Sequence, residues 1–169
     1  QVAADLRVRG ASSVETHVMD ATDLDAYHQV LEAAGAIDIA LIAFGTLPDQ
    51  VLCERDAAAA AQAVTTNATA VIALGTAILA RMERRGTGTL AVISSVAGDR
   101  GRASNYVYGA AKAAVSAFSD GARARLFKSG VHVVTVKPGF VDTAMTRDLV
   151  LPRALVATAE QAARRIVAG

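Results

Sequence analysis

The sequence predicts an α/β domain, a doubly wound and mainly parallel sheet with helices on both faces, and three observations carry that prediction. Short apolar runs alternate with longer stretches of helical periodicity. The later runs, IDIALIAF, LAVIS and HVVTV, are apolar nearly throughout, as strands covered on both faces are. Gly or Pro punctuates the joints between them. A chain of 169 residues, 53% hydrophobic and 20% charged, fills one such domain, and residues 1–169 are assigned to it.

The elements follow in order. Ala3 to Arg9 reads as the back half of a helix, so sequence upstream of Gln1 is expected. In VETHVMD, Val14 and Val18 alternate with polar neighbours as in a half-buried strand ending at Asp20. Thr22 and Asp23 offer an N-cap for DLDAYHQVLEAAG, where Leu24, Tyr27, Val30 and Leu31 recur at helical spacing and Gly35 stops the run. IDIALIAF is the next strand and ends at Gly45. The Ala-rich stretch from about Glu54 to Arg85 lacks proline and forms one long helix, or two with a short break. After GTGT comes the strand LAVIS, then the loop SVAGDRGRAS. A second long helix runs from Asn105 to about Ser129, with Gly130 behind it. HVVTV leads into KPGFVDTAMT, where Pro138 and Gly139 forbid further regular pairing. TAEQAARRIVA closes as an amphipathic helix with a Thr158 cap and Glu160 in its first turn.

Composition excludes several function classes. Seventeen Lys and Arg against 16 Asp and Glu leave a net charge of +1, with no basic stripe for nucleic acid. The single cysteine, Cys53, forms no internal disulfide, and without a CxxC pair or a Cys/His cluster no metal site is expected. A reducing cytoplasm fits best. No uninterrupted apolar run reaches the ~20 residues of a membrane span, and the opening residues lack a signal-peptide layout.

In such a sheet ligands bind beyond the carboxyl ends of the strands. That gathers Asp20, Ala43 to Gly45, Ser94 to Val96 and Pro138 to Thr143 around one crevice. The strongest chemical signal beside it is Tyr108-Gly-Ala-Ala-Lys112 at a helix start, thirteen residues after Ser95. Positions i and i+4 share a helix face, so the Lys112 ammonium can lie near the Tyr108 phenol. A nearby cation lowers a phenol's pKa from about 10 toward working pH and makes it a general acid or base. A serine from the neighbouring strand end can hold a substrate oxygen against that phenol. A lone YxxxK is more often a surface Tyr and Lys at helical spacing.

Context answers that objection. A strand ending in Ser-Ser, a Gly-bearing loop, YxxxK opening a helix, then a strand and Pro-Gly together resemble the short-chain dehydrogenase/reductase family, over Val14 to about Thr146. The resemblance implies a Rossmann-like fold and a hydride transfer between NAD or NADP and a carbonyl or alcohol carbon. It implies catalytic roles for Asn67 in a water-linked proton relay, Ser95 in polarising the carbonyl, Tyr108 in proton transfer and Lys112 in tuning Tyr108 and holding the nicotinamide ribose. The thirteen-residue spacing selects Ser95 over Ser94. It also implies cofactor contacts from Asp20, Ala43, Gly45, Pro138, Gly139, Val141 and Thr143. A turn residue before a helix is the lesser reading of Asp20, and Thr143 can serve as a helix cap as well. AFGTL with GDRGRASNYVYGAAKA is similar to family members that act on a keto-sugar carried on a polyprenyl phosphate, so the expected substrate is small or lipid-linked.

Two departures stand out. The family's Asn-Asn-Ala-Gly is here Ile42-Ala43-Phe44-Gly45, which leaves only backbone and Gly45 for that contact, with Phe44 free to be a packing residue. The glycine-rich turn that takes pyrophosphate at a helix N-terminus is absent. In the family's strand order, 3-2-1-4-5-6-7, two strands would separate VETHVMD from IDIALIAF, and a sheet with that gap should not be stable alone. The first strands, the glycine turn and a C-terminal strand are therefore expected outside the given residues.

Other classes remain for comparison. A non-catalytic nucleotide-binding sensor or scaffold is left open by the lost Asn pair. A sugar epimerase or dehydratase of the extended relatives also uses YxxxK but needs a large C-terminal substrate domain, for which little sequence follows Thr143. A serine hydrolase lacks its GxSxG elbow, and His17, His28 and His132 fall in or near regular elements away from the strand ends. The helices 54–85 and 105–128 carry more apolar surface than a thin sheet covers, which predicts a homodimer or homotetramer.

Overall fold

The computed structural model describes residues 2–147 and 149–168, with Arg153 described by its backbone alone. Three parallel strands form the sheet in the order β1 (Ile39–Ile42), β2 (Gly88–Ile93), β3 (Val131–Val136). Their register aligns Ala40 with Leu90 and Leu90 with Val133, and Ile42 with Val92 and Val92 with Thr135. Side chains alternate across a strand, so this row faces one way. Leu90 and Val92 on it are fully enclosed.

The covering helices supply the rest of the core. From α2 (Ala26–Ala34) come Tyr27 and Leu31, from α5 (Ala70–Arg85) Val71, Leu74, Ile78, Leu79 and Met82, and from α6 (Tyr106–Leu126) Ala111, Val115 and Leu126. On α6 the buried positions 107, 111, 115 and 119 recur every four residues, which is why one face of that helix seats on the sheet. Each fully buried Leu or Val contributes on the order of 1.5–3 kcal/mol. The opposite face of the sheet is lightly covered: Ile39 is 76% and Leu41 55% exposed.

Several expectations are met in detail. Val2–Val8 is helical (α1). The stretch 54–85 is resolved into α4 (Ala57–Val64), a wide π turn over Thr65–Thr69 and α5, preceded by the short α3 (Gln50–Cys53). Taken together, Ala57–Arg85 is long and apolar enough to cross a membrane, yet half of its most apolar window is buried in the domain. The N-cap position of α2 is Asp25, without a side-chain cap bond, in place of the expected Thr22 or Asp23; Asp23 Oδ1 instead accepts from the Asp25 and Ala26 N–H groups in the turn before the helix. Thr158 caps α7 (Ala159–Ala168) through a reciprocal pair with Gln161: Thr158 Oγ1 accepts from Gln161 N–H at 3.1 Å and Gln161 Oε1 from Thr158 N–H at 2.9 Å.

Two expectations are corrected. Val14–Asp20 is irregular backbone and Val18 is fully exposed. A strand needs a neighbour to accept and donate its ladder bonds, and no described segment lies in the sheet beyond β1 to provide one. Pro138 and Gly139 do not end pairing either: β4 (Phe140–Val141) pairs in parallel with β5 (Val156–Ala157). The missing Pro N–H faces no ladder there, because pairing resumes two residues later.

Candidate active site

Beyond β2 the chain turns at Ser94-Ser95 into a 3₁₀ turn over Val96–Gly98. Ser95 caps that turn, its Oγ accepting from Ala97 N–H at 3.1 Å. Ser94 is 2% exposed, and its Oγ donates to the Lys112 carbonyl at 2.9 Å while sharing a hydrogen bond with Ser116 Oγ at 2.8 Å. The two adjacent serines therefore differ in kind. Ser94 bolts β2 to α6, and Ser95 keeps its hydroxyl on the open side.

The bolt brings α6 unusually near the turn. A methyl group on Gly98 would stand 2.7 Å from Ala113 N and Lys112 C, and one on Gly109 would stand 2.8 Å from the Ala97 carbonyl oxygen. Only glycine lets loop and helix approach so closely. As a result Ser95 lies beside the Tyr108 phenol. Lys112 Nζ sits 5.7 Å from the centre of the Tyr108 ring and donates to the Ile93 carbonyl at 2.9 Å.

The electrostatics differ from the expectation that Lys112 draws the phenol's pKa down. Burial pushes Tyr108 above the ordinary tyrosine value, and the Ser95 hydroxyl offsets part of the rise. Burial also lowers the pKa of Lys112, which is 3% exposed. Desolvation outweighs the pairing because neither charged form is well hydrated. A phenol in this state holds its proton at neutral pH.

Asn67 sits at the centre of the π turn and is fully buried. Its Nδ2 donates to the Ala63 carbonyl at 2.9 Å and its Oδ1 accepts from Thr46 N–H at 2.9 Å, which pins the loop after β1. A methyl on Gly45 would fall 2.8 Å from Asn67 Oδ1 and 3.7 Å from Lys112 Nζ. Gly45, Asn67, Lys112, Tyr108 and Ser95 thus form one continuous group. Pro138 joins it, its carbonyl accepting from Val96 N–H at 3.2 Å. Phe44 packs against the main core, which resolves its role as packing, while Ala43 is exposed at the strand exit.

Other expected positions stand apart. Asp20 is exposed, and its Oδ1 accepts from Thr22 N–H at 2.8 Å and Thr22 Oγ1 at 2.7 Å, contacts that lower its pKa. That is the turn reading of Asp20. The turn is tethered by Tyr27, whose hydroxyl lies 2.5 Å from the Ala21 and 3.2 Å from the Ala70 carbonyl oxygen. Gly139 and Thr143 are exposed and Val141 is half-buried in β4. Thr143 is no helix cap; its N–H donates to Thr146 Oγ1 at 3.2 Å in a turn, and Thr146 Oγ1 donates to the Val141 carbonyl at 2.6 Å. The sequence reading missed the Ser94 bolt and the π turn at Asn67. The small residues Ala97, Gly98, Gly109 and Ala113 were the available signal of close packing.

A parallel, Rossmann-like α/β sheet with Ser, Tyr and Lys converging at a strand exit defines a dehydrogenase-like domain. The comparison with known families makes that specific: residues 1–153 match the model described as short chain dehydrogenase, and the chain belongs to that family. It is 42% identical over 165 residues to an uncharacterized oxidoreductase of Mycobacterium tuberculosis, covering 95% of this chain and 66% of that protein. The chain thus spans just under two thirds of that relative. Among solved structures it is similar to a short-chain dehydrogenase from Sphingobium yanoikuyae in complex with NADPH, with 28% identity and a TM-score of 0.89 over 99% of this chain and 68% of that one. It is also similar to the bulky-bulky ketone specific alcohol dehydrogenase from Comamonas testosteroni, with 26% identity and a TM-score of 0.85 over 99% and 66%.

Proposed function

We propose that the whole protein is an NAD(P)-dependent oxidoreductase that transfers a hydride between the nicotinamide and a carbonyl or alcohol carbon of a small or lipid-linked substrate. The observation that carries this reading is the half-buried Tyr108 phenol flanked by the Ser95 hydroxyl and, one helical turn on, the Lys112 ammonium. The Sphingobium relative binds NADPH and the Comamonas relative is named for a ketone, which supports both halves of the reading.

The residues present fit a nicotinamide nucleotide. An ammonium has three donors, and among the described residues Lys112 Nζ has one hydrogen-bond partner, Ile93 O. A buried cation with donors to spare suits the hydroxyls of a ribose. Ala43 and Gly45 contribute backbone alone, Asp20 the exposed turn before α2, and Pro138, Gly139, Val141 and Thr143 the rim after β3. When bound, the nicotinamide supplies or accepts the hydride.

The chain's own groups handle the proton. Ser95 donates to the substrate oxygen and fixes it against Tyr108. Tyr108, protonated at neutral pH because burial raises its pKa, donates its proton to the oxygen in carbonyl reduction. Lys112 provides the positive field that steadies the phenolate left behind. Asn67 holds the Gly45-Thr46 loop and serves the relay that returns the proton.

Tyr108→Phe tests the reading. Turnover of reduced nicotinamide with a panel of ketones should fall about 10²–10⁴-fold while NADPH fluorescence titration still reports binding. Retained turnover removes the reading. Wild-type binding without turnover on any ketone or alcohol favours the nucleotide-binding scaffold, the reading that the lost Asn pair supports.

The same proposal includes a second copy of the chain as partner. An apolar groove crosses α5 and α6, lined by Leu79, Ala80, Ala117, Phe118 and Ala122. We assign it to a homodimer or homotetramer. The buried, free thiol of Cys53 suits the reducing cytoplasm in which we place the protein.

A further inference from the structure

The helix that carries Tyr108 and Lys112 begins without a cap of its own. Asn105 stands at its N-cap position with no side-chain hydrogen bond to the first turn, and its Oδ1 is buried without a partner. The first N–H groups of a helix need acceptors, and leaving them unmet loosens the turn. The acceptor comes instead from 57 residues away: Gln50 Oε1 accepts from Val107 N–H at 3.3 Å. Gln50 is oriented for this by Glu54, whose Oε1 takes a hydrogen bond from Gln50 Nε2 at 3.2 Å and so turns the amide oxygen toward α6.

The surroundings make the contact a clamp. Asp49 caps α3 by accepting from the Val51 and Leu52 N–H groups, which sets the direction in which Gln50 leaves the helix. Cys53 and Ala63 pack on Val107 in a small apolar cluster separate from the main core. The same short stretch of chain, Gly45 to Asp49, is held at its other end by Asn67. This loop thus runs from Gly45, beside Asn67 and Lys112, to Gln50, which meets the first turn of the catalytic helix.

We infer that Gln50 is a positioning residue, which caps the catalytic helix in trans and thereby couples the placement of the Tyr108 phenol to the loop between β1 and α3. The inference rests on the reading of Tyr108 as the proton-transfer group. Its structural part stands on the Gln50–Val107 contact alone. Loss of the acceptor frees Val107 N–H, lets the first turn of α6 open, and admits water to the phenol.

The test uses the whole protein and needs no substrate. Gln50→Met keeps the side chain's length and removes the acceptor; the exchange of both partners, Gln50→Glu with Glu54→Gln, restores an acceptor and keeps the pair matched. Amide hydrogen exchange over 106–110 should quicken in Gln50→Met by about 2- to 30-fold, the range of a lost cap, with the peptides of β2 and α5 unchanged. The tyrosinate absorbance step assigned by difference from Tyr108→Phe should move down toward the ordinary tyrosine value, because burial is what holds it up. Both readouts should return in the exchanged pair. Unchanged exchange and titration in Gln50→Met overturn the inference, as does a uniform rise in exchange across the domain, or an exchanged pair no better than Gln50→Met. A Tyr108→Phe enzyme that keeps turnover would remove the catalytic reading while leaving these exchange results interpretable, so the two failures are distinct.

Discussion

The exit of β2 and the segment Ala11–Asp25 both carry the sequence pattern of a strand end leading to a helix, and they differ in what surrounds them. At the first, β1 and β3 flank the strand, α6 lies across its end, and Ser94, Lys112 and Ser116 exchange buried hydrogen bonds. At the second, the backbone has no sheet neighbour, and side chains bond only to the next few residues, as Asp20 does to Thr22. A site assembled by packing acquires strained proximity and shifted proton affinities. A segment without a sheet neighbour holds only local turns.

The largest effect should come from breaking the proximity itself. Gly98→Ala drives a methyl into the backbone of α6, so stability should fall by about 1–3 kcal/mol and turnover by at least about 100-fold. Urea denaturation and ketone-dependent oxidation of NADPH measure the two. A Gly98→Ala enzyme equal to wild type in both would mean that the loop and helix separate freely.

Lys112→Met comes next and splits function from stability. Removing a cation that is 3% exposed relieves its desolvation and loses its bond to Ile93 O, so the melting temperature should not fall sharply. Turnover should drop by about 10²-fold or more. The sign on pH follows: burial already raises Tyr108, and without the ammonium the phenolate loses its counter-charge, so the basic limb of the pH–rate profile should move to higher pH. A limb that moves to lower pH contradicts the assignment.

Two neighbouring serines sharpen the contrast within one corner. Ser94→Ala removes one of the two serine hydroxyls on the buried Lys112 carbonyl, Ser116 Oγ staying at 3.0 Å, and should cost roughly 0.5–1.5 kcal/mol, with turnover reduced only modestly. Ser95→Ala should lower turnover by about 10²-fold and lose only the cap bond from Ala97 N–H, about 0.5–1 kcal/mol. Interchanged outcomes would transfer the substrate-facing role to Ser94.

The smallest effect is expected at the open segment. Asp20→Asn should leave thermal unfolding unchanged, because Asp20 is exposed and bonds only within its own turn. NADPH affinity in the whole protein should weaken by several-fold at most, read by fluorescence titration. A large loss of stability would show that the turn is tied to the core through more than Tyr27.

What could be read in advance follows the range of the forces involved. Strand and helix identities for β1, β2, β3, α2, α6 and α7 follow from periodicity along a few consecutive residues, and the Tyr108–Lys112 pairing follows from helical geometry. The thirteen-residue spacing pointed to Ser95, and the open side of the Ser94 bolt is where Ser95 lies. Val14–Asp20 has a strand's alternation, but alternation specifies a face and not a neighbour. The Phe140–Val141 bridge was hidden because its partner lies across a loop of varied residues.

The sequence by itself determined the α/β class, the order of elements and the residue types at the strand exits, since these depend on local periodicity and on chemistry carried by single side chains. Tertiary structure alone decided which serine is buried, that Tyr108 is held above and not below its ordinary pKa, and that Gln50 caps a helix 57 residues away. Those outcomes turn on desolvation and on contacts between distant segments, and both exist only once the chain has packed.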